Sequence, residues 1–123
     1  MFRNRRNNVL LFGSRRLFSA KKIVLTQTKW RINGMKKVGI FMADGCEEIE
    51  ALTPVDLLRR AGEDVCTVSI MGRKEVTGSH KITILADETI EEGEFDDGDM
   101  LVLPGGMPGT LNLKEHEGLR NLI

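Results

Sequence analysis

Three places in this 123-residue chain carry groups suited to chemistry. The first is Glu50, the last acid of Glu47-Glu48-Ile49-Glu50. Desolvated in a crevice, a carboxylate there can act as a general acid or orient a neighbouring group. A Glu in a first helical turn also serves simply to offset the helix dipole. The second is Gly105-Gly106-Met107-Pro108-Gly109, whose glycines leave backbone N–H groups uncovered. Such a nest holds a phosphate or stabilises an oxyanion as a carbonyl is attacked. A tight turn needs the same glycines, and both the Walker Lys-Ser/Thr and a full G-x-G-x-x-G are missing. The third is the pair of cysteines. Cys46 lies near a helix start, which lowers a thiol pKa, but Glu47 and Glu48 oppose that. Cys66 falls in a strand pattern, the place of a small core residue. The two are twenty positions apart, with no C-x-x-C and no His at metal spacing, so neither a metal, a cofactor nor a disulfide framework is expected. His80 and His116 read as surface residues, and no Ser-His-Asp or Cys-His set can be assembled.

Positioning these groups requires strands and helices in alternation. Val38 to Met42 is a short apolar run bounded by charge and by Ala43-Asp44-Gly45, which suits a strand buried on both faces of a parallel sheet. Residues 47–61 change to a helical period. Ile49, Leu52, Val55 and Leu58, with Ala51 and Ala61, are expected to form its apolar face. Asp44 followed by Glu47 resembles an acidic capping box. The early acids and the late Arg59 and Arg60 match the helix dipole, Asp56 and Arg60 make an i,i+4 pair, and Gly62 suits C′. Pro54 breaks the pattern, since it cannot donate to the carbonyl of Glu50. Val65 to Ile70 reads as a second strand, residues 72–79 as a hairpin or short excursion, and Ile82 to Leu85 as another strand. Ile90 to Asp99 holds six acids, with Glu88 just before as a seventh, and reads as a solvated connection. Met100 to Leu103 is a last buried strand before the glycines, and residues 114–122 begin a further helix. Parallel β-α-β order places the site beyond the carboxyl ends of the strands, where residues 43–50 and 105–112 face each other.

Charge divides the chain in two. Residues 1–34 contain nine bases and no acid, leaving nine bases against 18 acids in residues 35–123. With five Phe, one Trp and no Tyr, stacking platforms for nucleic acid are not expected. No apolar run approaches the roughly 20 residues of a membrane span. The basic arm, expected to be disordered, has three readings: a tail that binds nucleic acid or acidic membrane, a transit peptide carrying Ser14 and Ser19, or translated leader. The third has a codon-level hint. Trp30-Arg31 can be written TGGAGG, which contains a ribosome-binding core, three residues before Met35-Lys36-Lys37. Met35 is accordingly expected to be the true start, giving a basic extension at 1–34 and a domain at 35–123. A cytoplasmic location is expected, or a mitochondrial one if the arm is a transit peptide.

Lys36 to Glu50, Thr53-Pro54-Val55-Asp56-Leu57-Leu58-Arg59-Arg60-Ala61-Gly62 and Leu103-Pro104-Gly105-Gly106-Met107-Pro108-Gly109-Thr110-Leu111-Asn112-Leu113 together resemble the ThiJ/PfpI family. The resemblance runs through about residues 36–123. It implies a flavodoxin-like three-layer α/β/α sandwich with a mostly parallel sheet, related to class I glutamine amidotransferases. It also implies a homodimer through the first helix and a cysteine-dependent glyoxalase, deglycase or peptidase acting, in the first two cases, on small reactive carbonyls. Glu50 matches the carboxylate that orients the nucleophile; Gly105 and Gly106 match the oxyanion donors. Cys46 and Cys66 match no nucleophile, which the resemblance would put about thirty residues beyond Gly106 in an elbow-like turn. The expectation is therefore a domain truncated at its C-terminus and inactive alone. The alternatives are a non-catalytic, chaperone-like or partner-binding remnant, or a small-phosphate binder at Gly105–Gly109.

Overall fold

Both faces of the apolar run at 38–42 are covered, and that is why it is apolar throughout. The computed structural model describes Val9–Leu11 and residues 36–123. Strands β1 (Val9–Leu11), β2 (Lys37–Met42), β3 (Asp64–Ser69), β6 (Glu88–Thr89) and β7 (Met100–Leu103) form one sheet in the order β1-β7-β2-β3-β6, every neighbouring pair parallel. Strands β4 (Glu75–Thr77) and β5 (Thr83–Leu85) form a separate antiparallel ribbon. Helix α1 (Glu48–Arg60) covers one side of the sheet, while α2 (Gly109–Glu115) and α3 (Glu117–Leu122) cover the other. Alternation along β2 divides its side chains between two cores. Val38, Ile40 and Met42 pack with Ala51 and Val55 of α1, whereas Phe41 and then Ala43 pack with Leu113 and Leu119. Three layers follow, as the α/β expectation requires. Gly39 leaves room for a ring: a Cβ there would stand 2.8 Å from Phe41 Cε2. The Phe41 ring meets Phe95 edge-on at 5.2 Å.

Helix α1 runs through Pro54, but its buried side differs from the expected one. Steps of three fall about 60° short of a full turn at 3.6 residues per turn, so a strict three-residue series winds around the helix. Ile49 (72% exposed) and Leu52 consequently face solvent, Ala61 is exposed, and the buried stripe is Glu48, Ala51 and Val55, with Leu58 half-buried. The capping box does not form. Glu47 is the N-cap without a side-chain bond, and Asp44 instead accepts from Thr77 N at 3.0 Å and Arg73 at 2.5 Å, fastening the ribbon to the end of β2. The Asp56–Arg60 pair forms at 3.0 Å, and Gly62 takes φ +85°. The helix expected at 114–122 starts earlier, at Gly109, and is two short helices broken at His116. That residue is half-buried, not a surface residue, because its Nδ1 accepts from Leu119 N at 3.1 Å and caps α3.

Two strands escaped the sequence reading. β6 lies immediately before the acidic connection, pairing Val68 with Glu88 and Ser69 with Thr89. β1 lies inside the basic arm and pairs with β7; the expectations for the rest of residues 1–34 fall outside the described residues. Among the described residues no helix is long and apolar enough to cross a membrane.

Candidate active site

Beyond the carboxyl ends of β2 and β7 the two loop-to-helix turns meet directly. Glu50 Oε2 accepts from Gly105 N at 2.6 Å, and Glu47 N donates to Gly105 O at 2.8 Å. Asn112 of α2 donates its Nδ2 to Asp44 O at 3.0 Å, tying the second turn to the first. Such close approach requires Gly106, at φ +94°, where a Cβ would run into Gly45 O and the Cys46 backbone 2.7–2.8 Å away. Glu50 projects from the first turn of α1 into this contact and is half-buried. The Gly105 donor is thus committed to a carboxylate, which places a negative charge where a phosphate would need to sit. Gly106 N has no hydrogen-bond partner among the described residues, so it is the donor of the pair left uncommitted.

Neither cysteine is poised to attack. Cys46 is fully buried, and burial, reinforced by the charge of Glu48, pushes its thiol up to about 11. Its backbone is absorbed in turn contacts: N donates to Ala43 O and O accepts from Ser79 N. Burial and then the charges of Glu88, Asp87 and Asp64 likewise push Cys66 up to about 11. At neutral pH both are protonated thiols, and the thiolate is the nucleophile.

A second polar cluster adjoins the site at the start of α1. His80 Nδ1 lies 2.9 Å from Glu48 Oε2, and His80 N donates to Glu48 Oε1 at 2.8 Å. Ser79 Oγ donates weakly toward Glu47 and Glu48 at 3.3 and 3.4 Å. Burial works to raise the Glu48 pKa. The His80 side chain and the backbone N–H groups of Glu48, His80 and Ile82 outweigh it and hold the carboxyl down at about 2. His80 is raised in turn, first by its bond to Glu48 and then by the charges of Glu47 and Glu48. Glu47, Glu48 and His80 bring three ligand-type atoms within 4.8 Å, the set among the described residues that could hold a cation, but here they are spent on one another. Sequence reasoning missed this cluster because His80 reaches Glu48 across 32 residues through the β4–β5 ribbon. A cavity lined by Lys37, Asp64, Cys66, Glu88, Phe95 and Leu101 opens at the amino ends of the strands, away from Glu50.

Of the expected site residues, Glu50, Gly105 and Gly106 come together, and Cys46 lies beneath them as a packing group. The profile of the DJ-1/PfpI family matches residues 36–123. Protein DJ-1 homolog B of Arabidopsis thaliana is 34% identical over 99 residues, which is 80% of this chain and 23% of that protein. A deglycase of Thermococcus kodakarensis is 38% identical over 80 residues, covering 64% of this chain and 48% of that one. Among solved structures, a DJ-1 superfamily protein from Salmonella typhimurium is 38% identical and superposes with a TM-score of 0.69 over 72% of this chain and 48% of its own. The chain spans about a quarter to a half of the length of these relatives.

Proposed function

The chain belongs to the DJ-1/PfpI family through residues 36–123, and from that premise we propose that these residues furnish the carboxylate-and-donor half of a cysteine-dependent site for small reactive carbonyls. One observation carries this: Glu50 is held at the strand tips by Gly105 N at 2.6 Å, with Gly106 N uncommitted beside it. A carboxylate so anchored can take or hold the proton of an approaching thiol, and a free N–H nearby can meet the oxygen of the attacked carbonyl. The thiol itself comes from outside residues 36–123, because Cys46 and Cys66 are buried or half-buried and protonated. The similarity to a deglycase supports the carbonyl reading.

In this reading the protein works as a homodimer. Ile49, Leu52 and Leu57 are exposed apolar side chains of α1, around the Asp56–Arg60 pair, with no cover among the described residues. The test of the chemistry is methylglyoxal consumption, measured on the purified 123-residue protein and on the product of the native locus expressed with its downstream sequence. The 123-residue protein is expected to be inactive. The native-locus product is expected to turn over methylglyoxal and to lose most of that activity on Glu50→Gln. Turnover by the 123-residue protein that survives both Cys46→Ser and Cys66→Ser would overturn the reading.

A further inference from the structure

The basic arm reads in isolation as leader sequence, yet three of its residues are part of the sheet. Val9, Leu10 and Leu11 pair in parallel with Leu101, Val102 and Leu103. They occupy the side of β7 that faces away from β2. We propose that Val9–Leu11 is a built-in edge strand: paired in cis with β7, it covers that strand next to Glu50 and Gly105 and must be displaced by any other strand that is to pair there.

Three observations support this. A bare parallel edge offers a row of unpaired N–H and C=O groups to other chains, and a very short terminal strand blunts that hazard. The segment from residue 12 to residue 36 is 25 residues long, ample for a parallel crossover, which needs a dozen or more. Charge complements the pairing as well. β1 and β7 are parallel. Arg3, Arg5 and Arg6 lead into β1, while the acidic stretch Glu88 to Asp99 leads into β7. The wider balance has the same sign, with nine bases and no acid in residues 1–34 against a surplus of nine acids in 35–123.

The edge matters for the site because Leu11, the last residue of β1, is level with Leu103, two residues before Gly105. A strand that brings a group to Glu50 along this side of β7 competes with β1 for the same backbone groups. That consequence rests on the proposed reading of the site, whereas the pairing does not. Carbonyl turnover can therefore fail while the edge strand stands, and the reverse.

Amide hydrogen exchange on the full 123-residue protein tests the pairing. Leu10→Pro fixes φ at about −65° in the middle of the three-residue strand and so disrupts it. In the unsubstituted protein the β7 amides that face β1 are expected to be protected. In Leu10→Pro they are expected to exchange on the order of tenfold faster while β2–β3 amides hold their rates. Raising salt from about 0.05 to about 0.5 M should speed the same amides in the unsubstituted protein by screening the charge attraction. Should Leu10→Pro fail to fold, the joint variant Arg3→Gln, Arg5→Gln, Arg6→Gln decides: it should lose the salt effect, and an unchanged salt effect overturns the electrostatic part. Unprotected Val9–Leu11 amides in the unsubstituted protein, or a Pro variant with unaltered β7 exchange, overturns the proposal. So does native protein whose intact mass begins at Met35.

Discussion

Replacing Glu50 separates the two things its carboxylate supplies, an acceptor and a charge. Its Oε2 takes the Gly105 N–H at 2.6 Å, and Gly105 is buried. Glu50→Ala removes the acceptor and strands that donor where water cannot readily replace it. Losing a hydrogen bond to a charged group and leaving a buried donor unpaired costs about 2 kcal/mol. Glu50→Gln keeps a carbonyl oxygen in reach, and a neutral bond is roughly half as strong as a charge-assisted one, so about 1 kcal/mol is lost. For a unit of this size 1 kcal/mol corresponds to about 4–8 °C in Tm. Thermal unfolding followed by far-UV circular dichroism should therefore show a drop of roughly 8–16 °C for Ala and about half of that for Gln. Exchange of the Gly105 amide gives a local readout, protected in the unsubstituted protein and in Gln, and open in Ala. A Tm within 2 °C of the parent for Ala, or equal losses for the two variants, refutes the assignment of Glu50 as the acceptor that holds the two turns together.

Further outcomes follow from neighbouring contacts. Gly106→Ala forces a side chain into a positive-φ position already crowded by Gly45 and Cys46 backbone, so it should destabilise by more than the roughly 1–2 kcal/mol of a left-handed L-residue, measured by urea midpoint. The Glu48–His80 pair has a defined pH window. Glu48 is lowered from 4.5 to about 2, so its contribution is present above 4.5 and fades as pH falls toward 2; His80 is raised above 6.5, so its contribution is present below 6.5 and is lost as pH rises through the raised value. Stability of the parent should thus peak between pH 4.5 and 6.5 relative to His80→Ala, and a difference that does not vary with pH contradicts the pairing. Both thiols should react slowly with iodoacetamide at pH 7.5 in native protein and quickly in denaturant, as thiols pushed up to about 11 must. In the proposed homodimer, Ile49→Asp should shift the protein toward monomer in sedimentation velocity; an unchanged sedimentation coefficient removes α1 from the proposed interface.

What the sequence made visible were features with local causes. The run Val38–Met42 is apolar throughout because α1 covers one face of β2 and α2 with α3 the other, and that two-sided burial is written in the side chains themselves. The helix around Pro54, the left-handed Gly62 and the Asp56–Arg60 pair are likewise decided within a few residues. The failures were of other kinds. Glu48 looks like surface acid, and only the β4–β5 ribbon, arriving 32 residues later, buries it against His80. Ile49 and Leu52 look like core, because an every-third-residue pattern seems helical until its drift is counted. β1 and β6, three and two residues long, are too short to show a period and exist only as partners of β7 and β3. In the candidate site, Glu50 and the glycines were visible as residue types, but that Glu50 binds Gly105 across 55 positions was not.

Gly39 and Phe41 have a consequence for how this strand can change over time. Both point to the α2–α3 side of β2, and the ring of one occupies the space a side chain on the other would need, at 2.8 Å. Their substitutions are therefore not independent. Gly39→Ala alone forces the Phe41 ring, which Phe95 meets edge-on, to shift, while Phe41→Ala alone opens a void. Either single step costs stability that the double replacement partly restores, because the added methyl fills part of the space the ring vacates. The order of mutation then matters. The less damaging first step is the one that leaves the chain folded long enough for the second, so two residues one pleat apart are expected to be inherited as a pair.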